Sequence, residues 1–174
     1  MTGSVNKEPY IRVYVAGVGL RGSGYPNANG TLSMLRGVRH VEVVECGGWL
    51  PDNIHLWRLA KDPKHRFLLF LLRLFLSNAV TLVRLFLRYR RYGFVYVPYP
   101  SIFVLWMISW LPRRWRPCCV SDVYITIWDS IYQDRGFGDA SGLFSRLLFR
   151  IEASALKAAS HLIVDTMANA EHIS

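Results

Sequence analysis

The chain has 174 residues, 52% of them apolar, and a formal charge of +9. That length suits one globular domain with a real core. The charge is concentrated: Lys64 to Cys119 holds ten Lys or Arg and no Asp or Glu. A basic block this apolar fits an anionic membrane surface and argues against nucleic acid, whose binders set their cations on polar faces.

The opening MTGSVNKEPY lacks an apolar h-region, so no secretory signal is expected. Ile11 to Val18 (IRVYVAGV) reads as a strand running into a glycine-rich loop. Thr31 to Arg36 is a short helical segment, and His40 to Cys46 (HVEVVEC) a second strand. After GGWLPDN, a helical pattern fills Lys64 to Arg91, then Phe94 to Val97 forms a strand closed by Pro98-Tyr99-Pro100. Ile102 to Leu111 is apolar and helical, ending at Pro112 and the basic run RRWR. Val123 to Trp128 (VYITIW) reads as a fourth strand, Gly142 to Ser160 as a helix and His161 to Val164 as a fifth strand. Alternation of this kind predicts an α/β fold with a Rossmann-like parallel sheet flanked by helices, residues 1–174 making a single domain. Cys46, Cys118 and Cys119 are an odd count without CxxC spacing, which fits free thiols in a reducing compartment.

In the long helix Arg73, Ser77, Thr81, Arg84, Arg88 and Arg91 recur at spacings of four, four, three, four and three, a single polar stripe on an otherwise Leu/Phe body. As a transmembrane span it would hold Arg73 and Arg84 at hydrocarbon depth, at about 2.5–3.5 kcal/mol each. Two alternatives stay open: a helix packed on its sheet and touching lipid, or an ordinary buried helix with a solvated stripe. The segment SIFVLWMISWL is too short to span, and with Arg113, Arg114 and Arg116 it suits either an interfacial anchor or a core helix with a basic C-terminal end.

The stretch GVGLRGSGYPNANG contains a formal G-x-G-x-x-G at Gly17, Gly19 and Gly22, and Glu45 stands where a ribose-binding acid could be. In a dinucleotide fold the helix opens within the glycines, so that its N-terminus meets the pyrophosphate. Here the octapeptide after Gly22 is unsuited to starting a helix, and the first expected cap is Asn29 or Thr31, which leaves NAD(P) binding the lesser option. A long loop could instead pass its N–H groups toward a phosphate or sugar, or be a plain surface turn.

Three segments carry a family resemblance: "RVYVAGVGLRGSGYPNANGTLSML", "SDVYITIWDSIYQDRG" and "EASALKAASHLIVDTMANAEHI". The arrangement resembles the N-terminal domain of retaining, family 4 GT-B glycosyltransferases. Their glycine loop, their strand ending in a polar residue at the active-site cleft, and their helix leading to a Val/Ile strand stand in these places, with Thr166 and Met167 where that family has Ser and Glu. The resemblance implies a glycosyltransferase of hexosyltransferase type that moves a sugar from a nucleotide-sugar donor to a lipid-linked or polysaccharide acceptor. The nucleotide sugar would be a substrate, with no cofactor and no nucleic-acid partner. The family's C-terminal domain binds the donor and carries an E-x7-E pair, and no Glu pair in this chain has that spacing, so the chain is expected to be one half of such an enzyme and inactive alone. The expected location is cytoplasmic, peripheral on the inner face of the cell membrane. A non-catalytic, membrane-associated interaction domain is the alternative.

The resemblance marks Asp129 as the catalytic-site carboxylate, orienting a sugar or acceptor hydroxyl; a turn or helix-cap role at a strand exit competes with it. Gly19, Gly22, Gly24, Asn27 and Asn29 form the expected donor-phosphate loop. Arg73, Arg84, Arg88, Arg91, Arg113, Arg114 and Arg116 form the expected membrane or acceptor surface. Asp134, Arg135 and Asp139 read as solvated loop charges. The five histidines show no metal-ligand spacing and no serine has a G-x-S-x-G context, so neither a metal site nor a hydrolase is expected.

Overall fold

The structure, a computed structural model, describes residues 10–20, 26–50, 64–98, 101–124, 126–134, 136, 139–167 and 170–171. Five strands form one parallel sheet: β1 (Ile11–Val15), β3 (Val41–Glu45), β5 (Gly93–Val97), β6 (Cys119–Asp122) and β7 (His161–Ile163), ordered β3-β1-β5-β6-β7. Two three-residue strands, β2 (Val18–Leu20) and β4 (Gly48–Leu50), pair separately in parallel, continuing β1 and β3 past the main sheet. The helices are α1 (Pro26–Gly37), α2 (Lys64–Arg88), α3 (Ile102–Ser109) and α4 (Leu143–Leu156).

Period-two alternation divides the strand side chains between two faces. Val13, Val15 and Tyr96 lie with Leu32 of α1 on one face. Tyr14, Val95, Val97 and Cys119 lie on the other, with Leu85 of α2, the apolar body of α3, and Ala155 of α4. The fold is therefore α/β and Rossmann-like, with its order reversing between β1 and β5. Open sheets of this kind bind ligands outside the carboxyl ends of the strands, at that reversal.

Two element boundaries correct the sequence reading. First, α1 begins at Pro26, ahead of the expected Asn29 or Thr31. Proline at the first helical position has its φ preset and lacks an N–H that would be orphaned there. Gly30 inside the helix costs about 1 kcal/mol, which burial of Leu32 offsets. Second, the fourth strand of the main sheet is Cys119–Asp122, whereas Ile127 and Trp128 are helical and lead into a π-helical turn, Asp129–Gln133. The reason lies on α4. Buried Glu152 accepts hydrogen bonds from the N–H groups of Ile127 (2.7 Å) and Trp128 (2.9 Å), so its carboxylate caps a helical start in a segment whose composition favours β structure.

Candidate functional site

At the reversal point β1 and β3 each break at a small residue pair, Ala16-Gly17 and Cys46-Gly47, before continuing as β2 and β4. Gly17 has a φ of +145°, and a Cβ there would stand 2.3 Å from the Ser101 Oγ. A Cβ on Gly47 would stand 1.8 Å from the Gly17 carbonyl oxygen. Only glycine fits these positions, and their closeness carries the paired β2 and β4 out beyond the rim.

Alongside, the rim is polar. The Tyr96 hydroxyl of β5 donates to Asp122 Oδ2 of β6 at 2.6 Å, and the two residues are 1% and 2% exposed. Burial first, then the charge of Asp122, holds the Tyr96 phenol far above its ordinary pKa, so Tyr96 stays a neutral donor. Thr31 of α1 stands beside both phenols and acts in the opposite direction. Burial also raises Tyr124, as do the charges of Asp122 and Asp165, the latter just past β7. Elements distant in sequence thus bring two phenols, two carboxylates and a hydroxyl to one side of the rim. A cluster of neutral donors and anionic acceptors suits a polyhydroxylated ligand.

The expected site residues fall differently. Asp129 is not at a strand end. Its Oδ2 accepts from the Thr126 hydroxyl at 2.5 Å while its own N–H donates to Thr126 Oγ1 at 3.0 Å, a reciprocal cap on the helical turn. The carboxylate at the end of the strand is Asp122, which the displaced strand boundary hid. A single Asp inside the apolar run CVSDVY was the available signal. Gly19 lies in β2 opposite Trp49, in a strand rather than an open loop, which is unlike a dinucleotide fingerprint. Gly22 and Gly24 lie outside the described residues. Asn27 and Asn29 belong to the first turns of α1.

Helix α2 is buried along one side only. Leu72, Leu76, Val80, Val83 and Leu87 recur at four, four, three and four residues and are all exposed, Leu87 by 81%. The opposite side, Asn78, Thr81 and Leu85, is buried. This is therefore not an ordinary buried helix. Arg73, Arg84 and Arg88 are exposed beside the apolar row, and Arg91 is exposed past the helix, which ends at Arg88 and not at Arg91. Thr81 leaves the expected stripe and turns inward, donating to the Ser77 carbonyl at 2.9 Å. At 25 residues, α2 is roughly 37 Å long, against about 16 Å for a five-residue strand. Its C-terminus feeds the amino end of β5, so its amino-terminal half extends past the carboxyl rim, where α2 also packs on β2.

Arg113 and Arg114 are exposed in a 3-10 turn, and the Arg114 guanidinium lies 5.4 Å from the Trp115 ring centre. Arg116 serves the fold: its guanidinium donates to the Leu111 and Ser109 carbonyls at 2.9 and 2.6 Å, closing the C-terminal end of α3. Among the described residues no helix is long and apolar enough to cross a membrane, and no group of three or more His, Cys, Asp or Glu is placed to hold a metal ion.

No protein-family model matches the chain. Comparison with curated proteins and with solved structures likewise finds no match. The functional reading rests on the residues described above.

Proposed function

We propose that the chain is the acceptor-side domain of a GT-B-type glycosyltransferase working at the surface of a membrane, where it positions a lipid-linked or saccharide acceptor against a nucleotide-sugar donor held by a second domain. The observation that carries the reading is the Tyr96–Asp122 pair, flanked by Thr31, Tyr124 and Asp165, on the carboxyl rim of an open parallel sheet. Asp122 and Tyr96, buried against each other, organise the rim, and the more exposed Tyr124 and Asp165 beside them meet a sugar hydroxyl. The exposed apolar row of α2 and its bordering arginines support peripheral attachment to the cytoplasmic face of the membrane. Transfer needs donor and acceptor aligned across a closed cleft, so the 174 residues alone should transfer nothing.

A second reading, a non-catalytic membrane-associated interaction domain, draws on α2 alone. One experiment separates the two. The chain is combined with a donor-binding partner domain, vesicles containing lipid-linked saccharide and a panel of labelled nucleotide sugars. Label entering the lipid fraction only when both domains are present supports the transferase. Vesicle binding with no transfer from any donor supports the interaction domain, and robust turnover by the isolated chain contradicts the half-enzyme reading.

A further inference from the structure

On the outer side of the sheet, away from the carboxyl rim, the last turn of α2 and strands β1 and β3 enclose an open groove of about 530 Å³. Its lining includes Arg12, Arg88 and Arg90 against one carboxylate, Glu42, so the groove is cationic by formal count. The floor is fixed. Tyr14, buried in the sheet, accepts a hydrogen bond from the Arg90 N–H at 3.1 Å and packs its ring 5.4 Å from that of Tyr89. Arg88 is held at the groove by donating to the Glu45 carbonyl at 3.2 Å, and Arg12 by its 2.6 Å ion pair with Glu42. One wall is Leu87, the last member of the exposed apolar row of α2, with Val83 one turn away. Cations are thus gathered where the lipid-facing row ends, and the helix's own C-terminal carbonyls give an anion no reason to bind there without them.

We infer that this groove holds the phosphodiester of an anionic membrane phospholipid between Arg12, Arg88 and Arg90 while Leu87 and Val83 enter the acyl boundary. The inference rests on the membrane-surface part of the proposed function and makes it local: one corner of the protein, not its diffuse positive charge, reads the headgroup. Continuity with the apolar row selects a bilayer lipid over free phosphate, which has nothing to place against Leu87. Guanidinium forks suit a phosphate oxygen pair better than a point charge would.

Flotation of the whole chain with phosphatidylcholine vesicles, with and without phosphatidylglycerol, tests this. Diffuse attraction is worth about 1 kcal/mol per cation near an anionic surface, about fivefold. Removing either of two arginine pairs would then weaken binding equally. The groove predicts otherwise: Arg88→Gln with Arg90→Gln should lose at least several-fold more affinity for phosphatidylglycerol vesicles than Arg113→Gln with Arg114→Gln. Glu42→Gln, which removes the opposing carboxylate, should tighten binding and keeps the test open if the arginine pair fails to fold. Equal losses from the two pairs, or weaker binding by Glu42→Gln, would overturn the groove while leaving the membrane reading in place. Absence of any preference of the wild-type chain for anionic vesicles would overturn both. Inorganic phosphate should release no more chain than chloride at equal ionic strength, and a phosphate-specific release would assign the groove to a soluble ligand instead.

Discussion

Replacing Tyr96 with Phe removes one oxygen and leaves the ring in its packing against Val13, Val15 and Leu32. What is lost is the 2.6 Å hydrogen bond to Asp122, whose carboxylate is 2% exposed and cannot recruit bulk water in exchange. Hydrogen bonds to charged groups contribute about 1.5–3 kcal/mol, and a buried acceptor left short of a donor falls at the upper end. For a domain of this size each kcal/mol moves the melting temperature by about 2–4 °C, so Tyr96→Phe should melt roughly 3–12 °C below wild type. Differential scanning calorimetry reads this directly. Tyr124→Phe, at a half-buried position beside the same carboxylate, is the control and should lose less. A Tyr96→Phe protein melting within about 1 °C of wild type would show that Asp122 is satisfied without the phenol, and the rim cluster would lose its organising bond.

Burial is the largest influence on the Glu152 carboxyl and raises its pKa above the ordinary value, the two backbone N–H groups opposing it and Asp129 adding to it. The folded chain therefore keeps that proton to higher pH than the unfolded chain. The stability Glu152 contributes is full below the ordinary Glu range and declines as pH rises through the raised value. The melting temperature of wild type minus that of Glu152→Gln should accordingly be more positive near pH 4 than at pH 7; a gap that widens with pH contradicts this. Asn78 is buried, and its Oδ1 has no hydrogen-bond partner among the described residues, while its Nδ2 donates to the Leu74 carbonyl at 2.7 Å. Asn78→Leu should raise stability by about 1 kcal/mol in urea unfolding, and a loss of that size would mean the amide is needed. Leu76→Asp with Val83→Asp, both exposed, should leave the melting temperature nearly unchanged yet abolish flotation with anionic vesicles; unchanged flotation would remove α2 from the membrane contact.

The alternation of elements was legible because β1, β3 and β5 are short β-branched runs closed by Gly or Pro, and because α2 carries a long helical period. Two places resisted. VYITIW reads as the strand, yet the strand is Cys119–Asp122, and Glu152, some 25 positions away in sequence, caps Ile127 and Trp128 as the start of a helical turn. That long-range contact moved the strand end from Trp128 to Asp122 and with it the candidate carboxylate. Tyr96 could be read as a buried strand residue, but its partner could not, since pairing it with Asp122 requires the β5–β6 register. The exposed apolar side of α2 was half legible. The arginine stripe showed in the spacing, whereas which apolar side meets the sheet depends on packing against α3 and β2.

On the proposed reading a sugar hydroxyl is received on the rim that Asp122 organises. The most direct measurement is sugar transfer to lipid-linked saccharide on anionic vesicles by the chain joined to a donor-binding domain, comparing wild type with Asp122→Asn. The side chains are nearly the same size, so flotation should be equal for the two proteins. A lost charged acceptor costs about 1.5–3 kcal/mol, which predicts turnover lower by roughly 10- to 100-fold. Transfer by Asp122→Asn at the wild-type rate, with equal vesicle binding, would contradict the account.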